Sequence, residues 1–224
     1  MPGRHSQMES QMHVANPHRA DLSLSSYPID MSSCLSLPYC TFDTGVPYQV
    51  NPDGYHPTTI AQYALAHWNN YLISNDEHYR KVFLLQAQWF IEHEVCSGED
   101  AGGWPISLPH PDISTLGSLS GGQGTWLSAL AQGCALSVLV RAYRLTQEKV
   151  FLEVARRAVC SFKRDILDGG VNAPIGKEGI FFEEVAVYPA AHILSGFLFA
   201  LFGLYDYVAP VSYTHLRAHE TGRN

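Results

Sequence analysis

Two adjacent carboxylates, Glu183 and Glu184, follow Phe182 in a stretch with no helical periodicity. Such a pair can take and return a proton; it equally suits an ordinary solvated loop. Arg141 lies inside the run Leu127–Ala142, where eleven of sixteen positions are Ala, Val, Leu or Cys. An unpaired charge there would be costly, so Arg141 must pair with an acid, hydrogen-bond loop carbonyls or bind a ligand's carboxylate. Trp104, in Gly102-Gly103-Trp104-Pro105, offers a flat apolar face to a ligand or caps the core. Gln62 and Gln132 sit in two helical patterns and either face a cleft or are buried amides satisfied by loop backbone. His67 and His192 carry the same ambiguity between core and catalytic histidine. No phosphate loop, nucleophile elbow or metal constellation is present in the sequence.

Those side chains need elements to hold them. Helical patterning starts after His56-Pro57, with Thr58 as N-cap and an apolar helix over Ile60–Leu72. Asn75-Asp76 turns the chain and caps a second helix, about Glu77–Glu94. A long Gly-, Pro- and Ser-rich loop, 97–124, separates it from an all-round apolar helix over 125–145. An amphipathic helix follows, with Phe151, Leu152, Ala155, Ala158, Val159 and Phe162 on one face. Ala190–Tyr207 reads as a third buried helix. Buried-helix units thus start near residues 58, 125 and 190, the pattern an incomplete (α/α) toroid of inner and outer helix hairpins requires. The fold class expected is therefore all-α, with a helical bundle or solenoid as the alternative.

Composition narrows the field. Of 224 residues, 46% are hydrophobic and 16% charged, ordinary for a globular chain. A net charge of −7 argues against a nucleic-acid partner. Half of the 14 Lys and Arg fall between Arg141 and Arg164, a local basic face able to attract an acidic ligand or simply to be solvated. The five scattered cysteines support neither a disulfide framework nor a zinc site, and with no convincing signal peptide they point to a cytoplasmic location. Val185–Tyr205 is uncharged, but Pro189, His192 and Ser195 favour a buried helix over a stable membrane span.

Four segments, read in order, carry a resemblance. They are Pro57-Thr58-Thr59-Ile60-Ala61-Gln62-Tyr63-Ala64-Leu65-Ala66-His67; Gly102-Gly103-Trp104-Pro105-Ile106; Trp126–Gly133 with Val140–Tyr143; and Phe182-Glu183-Glu184 with Leu194-Ser195-Gly196-Phe197 and Gly203-Leu204-Tyr205-Asp206. Together they resemble the C-terminal domain of the D-glucuronyl C5-epimerases over residues 48–208. The resemblance implies an isomerase acting on a uronic-acid polysaccharide, converting D-glucuronate to L-iduronate residues without a cofactor, and tyrosine and glutamate as its acid–base groups. Glu183-Glu184 matches the acidic pair of the family's Phe-Glu-Glu-Tyr-Pro signature, which makes Glu184 the first catalytic candidate, with Glu183 beside it. The sequence then departs: Val185 stands where the family has tyrosine and Ala186 where it has proline, leaving Tyr188 of Tyr188-Pro189 as the nearest phenol. Two further family tyrosines lie beyond Tyr205-Asp206, and nothing after 208 matches them.

The expected organisation is an irregular lead-in over 1–47, a C-terminally truncated toroid domain over 48–208, and a non-native tail over 209–224 resembling translated adapter sequence. Such a chain is expected to be inactive. Substrate contacts are expected from Trp104, Arg141, Gln132, Gln62 and His67, and self-association into a homo-oligomer is left open. The rival readings are a polysaccharide lyase or glycoside hydrolase on the same toroid and a non-catalytic glycan-binding module.

Overall fold

Pro57 opens the first long helix, because its missing N–H falls where a helix has no internal acceptor for it. The computed structural model describes residues 24–50, 53–96, 101–106, 118–119 and 125–220. Helix α1 spans Pro57–Ser74, with His56 rather than Thr58 at the N-cap. Asn75 ends it in the left-handed conformation (φ 54°), its N–H donating to Tyr71 O at 2.7 Å. Asp76 caps α2 (Glu77–Glu92), Oδ1 accepting from His78 N at 2.8 Å. Helix α3 (Ala129–Thr146) starts at Ser128, and α4 (Lys149–Val159) runs into a 3₁₀ turn, Cys160–Phe162. Helix α5 spans Leu194–Glu220.

Helix α3 is the axle. It packs against α1, α2, α4 and α5, and its residues from Ala129 to Ala142 are all buried. Trp68, Phe83, Phe90, Leu136 and Leu139 fill the space between the first three helices. Each such fully buried side chain contributes about 1.5–3 kcal/mol over leaving it exposed. The crossing of α3 and α5 is made by glycines: a Cβ on Gly203 would overlap the Gly133 carbonyl, and one on Gly133 would overlap the backbone of Phe199 and Ala200. Phe197 of α5 also stacks on Phe181 at 4.7 Å, and Phe202 meets Tyr27 edge-on at 6.2 Å. Leu194, Leu198, Leu201, Tyr205 and Val208 are exposed along its other face, so it is not the all-round buried inner helix that its composition suggests. Among the described residues, no helix is long and apolar enough to cross a membrane.

The all-α toroid expectation is corrected by four small antiparallel sheets. Strands β1 (Cys40–Asp43), β2 (Val46–Val50) and β3 (Asp53–Gly54) form one. Its hairpin turn, Thr44-Gly45, has positive φ at both residues, as a two-residue turn between twisted strands demands. Gln86 of α2 donates to Gly45 O at 3.0 Å and anchors this sheet. Strand β4 (Val95–Cys96) pairs with β5 (Gly102–Gly103), β6 (Ser118–Leu119) with β9 (Val187–Tyr188), and β7 (Asn172–Ile175) with β8 (Gly179–Phe182). These strands are two to five residues long, too short to leave a period-two pattern. The expected lead-in boundary at 47 falls inside β2, and α5 continues past 208 to Glu220. Most of the long loop at 97–124 lies outside the described residues.

Candidate active site

The acidic pair follows directly from β8, and its backbone is pinned on both sides. Glu183 N donates to Val171 O at 2.7 Å, and Glu183 O accepts from Ala129 N, in the first turn of α3, at 2.9 Å. That contact satisfies one of the N–H groups a helix start leaves without an internal partner. The Glu183 side chain is 0% exposed. His192, at φ 53°, donates its backbone N–H to Oε2 at 2.9 Å, and its ring Nε2 lies 3.6 Å from Oε1. Burial raises the Glu183 carboxyl pKa, while the His192 amide, the His192 ring charge and the Ala191 amide oppose it.

Glu184 faces different surroundings. It is half-buried, and Oε2 accepts a 2.5 Å hydrogen bond from Ser195 Oγ in the first turn of α5. A carboxylate is favoured at a helix start. Gly196 seats the helix on it, since a Cβ there would come within 2.7 Å of Glu184 Cα. Val185 next to it is 0% exposed, packed with Ile106, Trp126, Ala131 and Val187, so this position supplies core and not a phenol. Tyr188 is 62% exposed on β9.

Of the expected binding residues, Trp104 and Gln132 are brought together. Trp104 is 1% exposed; its Nε1 donates to Phe90 O at 2.8 Å and its ring meets Phe90 edge-on at 5.0 Å. Gln132 closes the other side, Oε1 accepting from Trp104 N at 3.3 Å and Nε2 donating to Trp104 O at 3.1 Å. These are the core-cap and satisfied-amide arrangements of the alternatives above. Arg141, also 1% exposed, donates from Nη1 to Asp206 Oδ2 at 2.5 Å and to Ser137 O at 3.1 Å, with Tyr27 across its face at 5.1 Å. Of the three fates open to it, pairing with an acid is the one observed. Gln62 is half-buried on α1. His67 is buried on the same helix, Nδ1 2.9 Å from Tyr63 O and its ring against Tyr63 and Tyr79; burial lowers its pKa despite the opposing hydrogen bond to Tyr63.

A cleft of about 250 Å³ runs alongside the acidic segment, lined among others by Gly103, Trp126, Ser161, Arg164, Asp168 and Ala186. The sequence reading does not single out Arg164 or Asp168 as site residues. The one signal is the Gly169-Gly170 pair that follows them, which marks a tight turn.

Comparison with known proteins now bears on this arrangement. The family described as D-glucuronyl C5-epimerase C-terminus matches residues 99–222. A D-glucuronyl C5-epimerase of Caenorhabditis elegans is 33% identical over 130 residues, which span 58% of this chain and 20% of that relative. The chain thus covers only a small part of the relative's length. The family match takes in the acidic pair and α5; the first of the four segments, 57–67, lies ahead of it.

Proposed function

The chain belongs to the D-glucuronyl C5-epimerase C-terminus family, and on that premise we propose that it serves C5 epimerisation of D-glucuronate residues in a polysaccharide to L-iduronate. The reaction breaks the C5–H bond next to the carboxylate, and the electron pair passes into the carboxylate as enolate character. A proton then returns to C5 from the opposite face. Nothing is oxidised or reduced, so the step calls for no redox cofactor. It does call for two acid–base groups across the ring and for donors or cations at the carboxylate.

The observation supporting this reading is the contrast within the acidic pair. Neighbouring carboxyls held in unlike environments are how one site keeps an acid and a base side by side. Glu183 is sealed from water, and Glu184 is reachable and oriented by Ser195. Glu184 is the acid–base residue in this proposal, and Tyr188 the candidate for the opposite face. In the full-length protein, Glu184→Gln is expected to cut C5 proton exchange with deuterated solvent by about 10²–10⁴-fold while oligosaccharide binding persists. Undiminished exchange would move the chemistry elsewhere, with Tyr188→Phe the next variant to measure. The second reading, a non-catalytic glycan-binding module, draws support from the buried Val185 at the family's tyrosine position. It predicts binding with no C5 exchange at all.

A further inference from the structure

Glu183 is a buried ionisable group that the reaction above does not use, and the residue that grips it lies just ahead of α5. His192 has φ 53°, a left-handed conformation disfavoured for a side chain with a Cβ and visited by histidine more readily than by most. That conformation turns both polar ends of the residue onto one carboxyl group. The backbone N–H donates to Oε2 at 2.9 Å, and ring Nε2 stands 3.6 Å from Oε1. Among the described residues Oε1 has no hydrogen-bond partner, so the charge of the imidazole is what compensates it. Phe181 meets the ring edge-on at 5.0 Å, while 35% of the His192 side chain stays open to water. Three residues on, Ser195 Oγ donates to Glu184 Oε2. The entry segment of α5 therefore clasps both carboxylates, one through His192 and one through Ser195.

The two grips differ in what sustains them. The serine contact holds while Glu184 is ionised. The histidine grip depends on a ring that ordinarily gains its proton near about pH 6.5. With the ring charged, the sealed Glu183 carboxylate has a cation beside it. With the ring neutral, a carboxylate cut off from water is left with backbone amides alone, which is costly. Burial already favours the neutral carboxyl, against the pull of the His192 ring. Rising pH therefore acts in one direction on both groups, creating the buried charge and removing its counter-charge. Strands β7 and β8 and the first turns of α3 and α5 carry no ionisable side chain. Glu184 is turned to Ser195, and Tyr188 on β9 is 62% exposed. We propose that His192 is a positioning residue for Glu184 and a pH-sensitive clasp. Charged, it holds the entry of α5, and with it Ser195, on the acidic pair; neutral, it lets that entry open and leaves Glu184 without its orienting hydroxyl. The control of Glu184 as an acid–base group rests on the epimerase reading; the clasp itself rests on the contacts.

Two measurements on the 224-residue chain test the clasp. Followed by carboxyl-carbon NMR, Glu183 should titrate at higher pH in His192→Asn than in the parent, because the ring charge that opposes burial is gone. Asparagine accepts the left-handed backbone, so the variant keeps its local fold. Hydrogen exchange reports the amide of residue 192. Its protection, corrected for the intrinsic rate, is expected to fall roughly 3- to 10-fold as pH rises from about 5 to about 8, closer to the worth of an exposed ion pair than of a buried one. Glu183→Gln keeps an acceptor for that amide and loses the charge, so its profile should be flat. An unchanged Glu183 titration in His192→Asn, a flat parent profile, or the same fall in Glu183→Gln would overturn the clasp. In the full-length protein, C5 proton exchange that declines as pH rises, and declines less steeply in Glu183→Gln, supports the control of Glu184. The same pH profile in parent and variant would remove that control and leave the epimerase reading standing. No exchange in either, with both measurements on the clasp as expected, would retain the clasp and discard the epimerase reading.

Discussion

At the scale of single residues, a carboxyl is useful as an acid or base according to the water and charge around it. Glu183 gains a raised pKa from burial, against the pull of His192 and the Ala191 amide. For an acid with a raised folded-state pKa, the neutral form is favoured by folding. The contribution is therefore fully present below the ordinary value of 4.5 and is lost as pH climbs through the raised value. Glu183→Gln should remove this loss. Melting curves of parent and variant measured from pH 4.5 upward are expected to diverge in the variant's favour; parallel curves would mean the carboxyl is not destabilised by burial. The pair itself is legible in sequence because adjacent glutamates after an apolar strand stand out. Its partners are not, since Ser195 and His192 are nine to eleven positions away across an irregular stretch. Arg141 shows the same limit: the need for a partner is readable from its apolar surroundings, but Asp206 lies 65 positions on, beyond anything local spacing encodes.

At the scale of elements, the helices are legible because packing against α3 imposes a 3.6-residue stripe on α2 and α4 and a continuous apolar surface on α3 itself. The strands are not, because pairs as short as Gly102–Gly103 are held by backbone hydrogen bonds and leave no side-chain period. The contact of α3 with α5 depends on two glycines that a helical pattern alone gives no reason to expect, since glycine weakens isolated helices. Their use is steric. Gly203→Ala gains helix propensity and should still destabilise the protein, by about 1–3 kcal/mol, because its methyl group meets the Gly133 carbonyl. Urea unfolding of parent and variant measures this, and a neutral or stabilising result would show that the two helices part readily.

At the scale of the whole molecule, α5 leaves an apolar stripe uncovered, Leu194, Leu198, Leu201, Tyr205 and Val208. Surfaces of this kind promote association in water. Concentration-dependent sedimentation is expected of this chain, and Leu198→Glu with Leu201→Lys should reduce it; an unchanged profile would clear the stripe of responsibility. The pinned Glu183 peptide has another effect, on motion. Because one of its hydrogen bonds belongs to the first turn of α3 and the other to Val171, the acidic segment cannot swing away on its own. Freeing it requires fraying the start of the molecule's most buried helix, and local opening becomes rarer as the unit that must open is more deeply packed. The carboxylate pair therefore inherits the rigidity of the axle, and a glycan chain must adapt to the position of the acid.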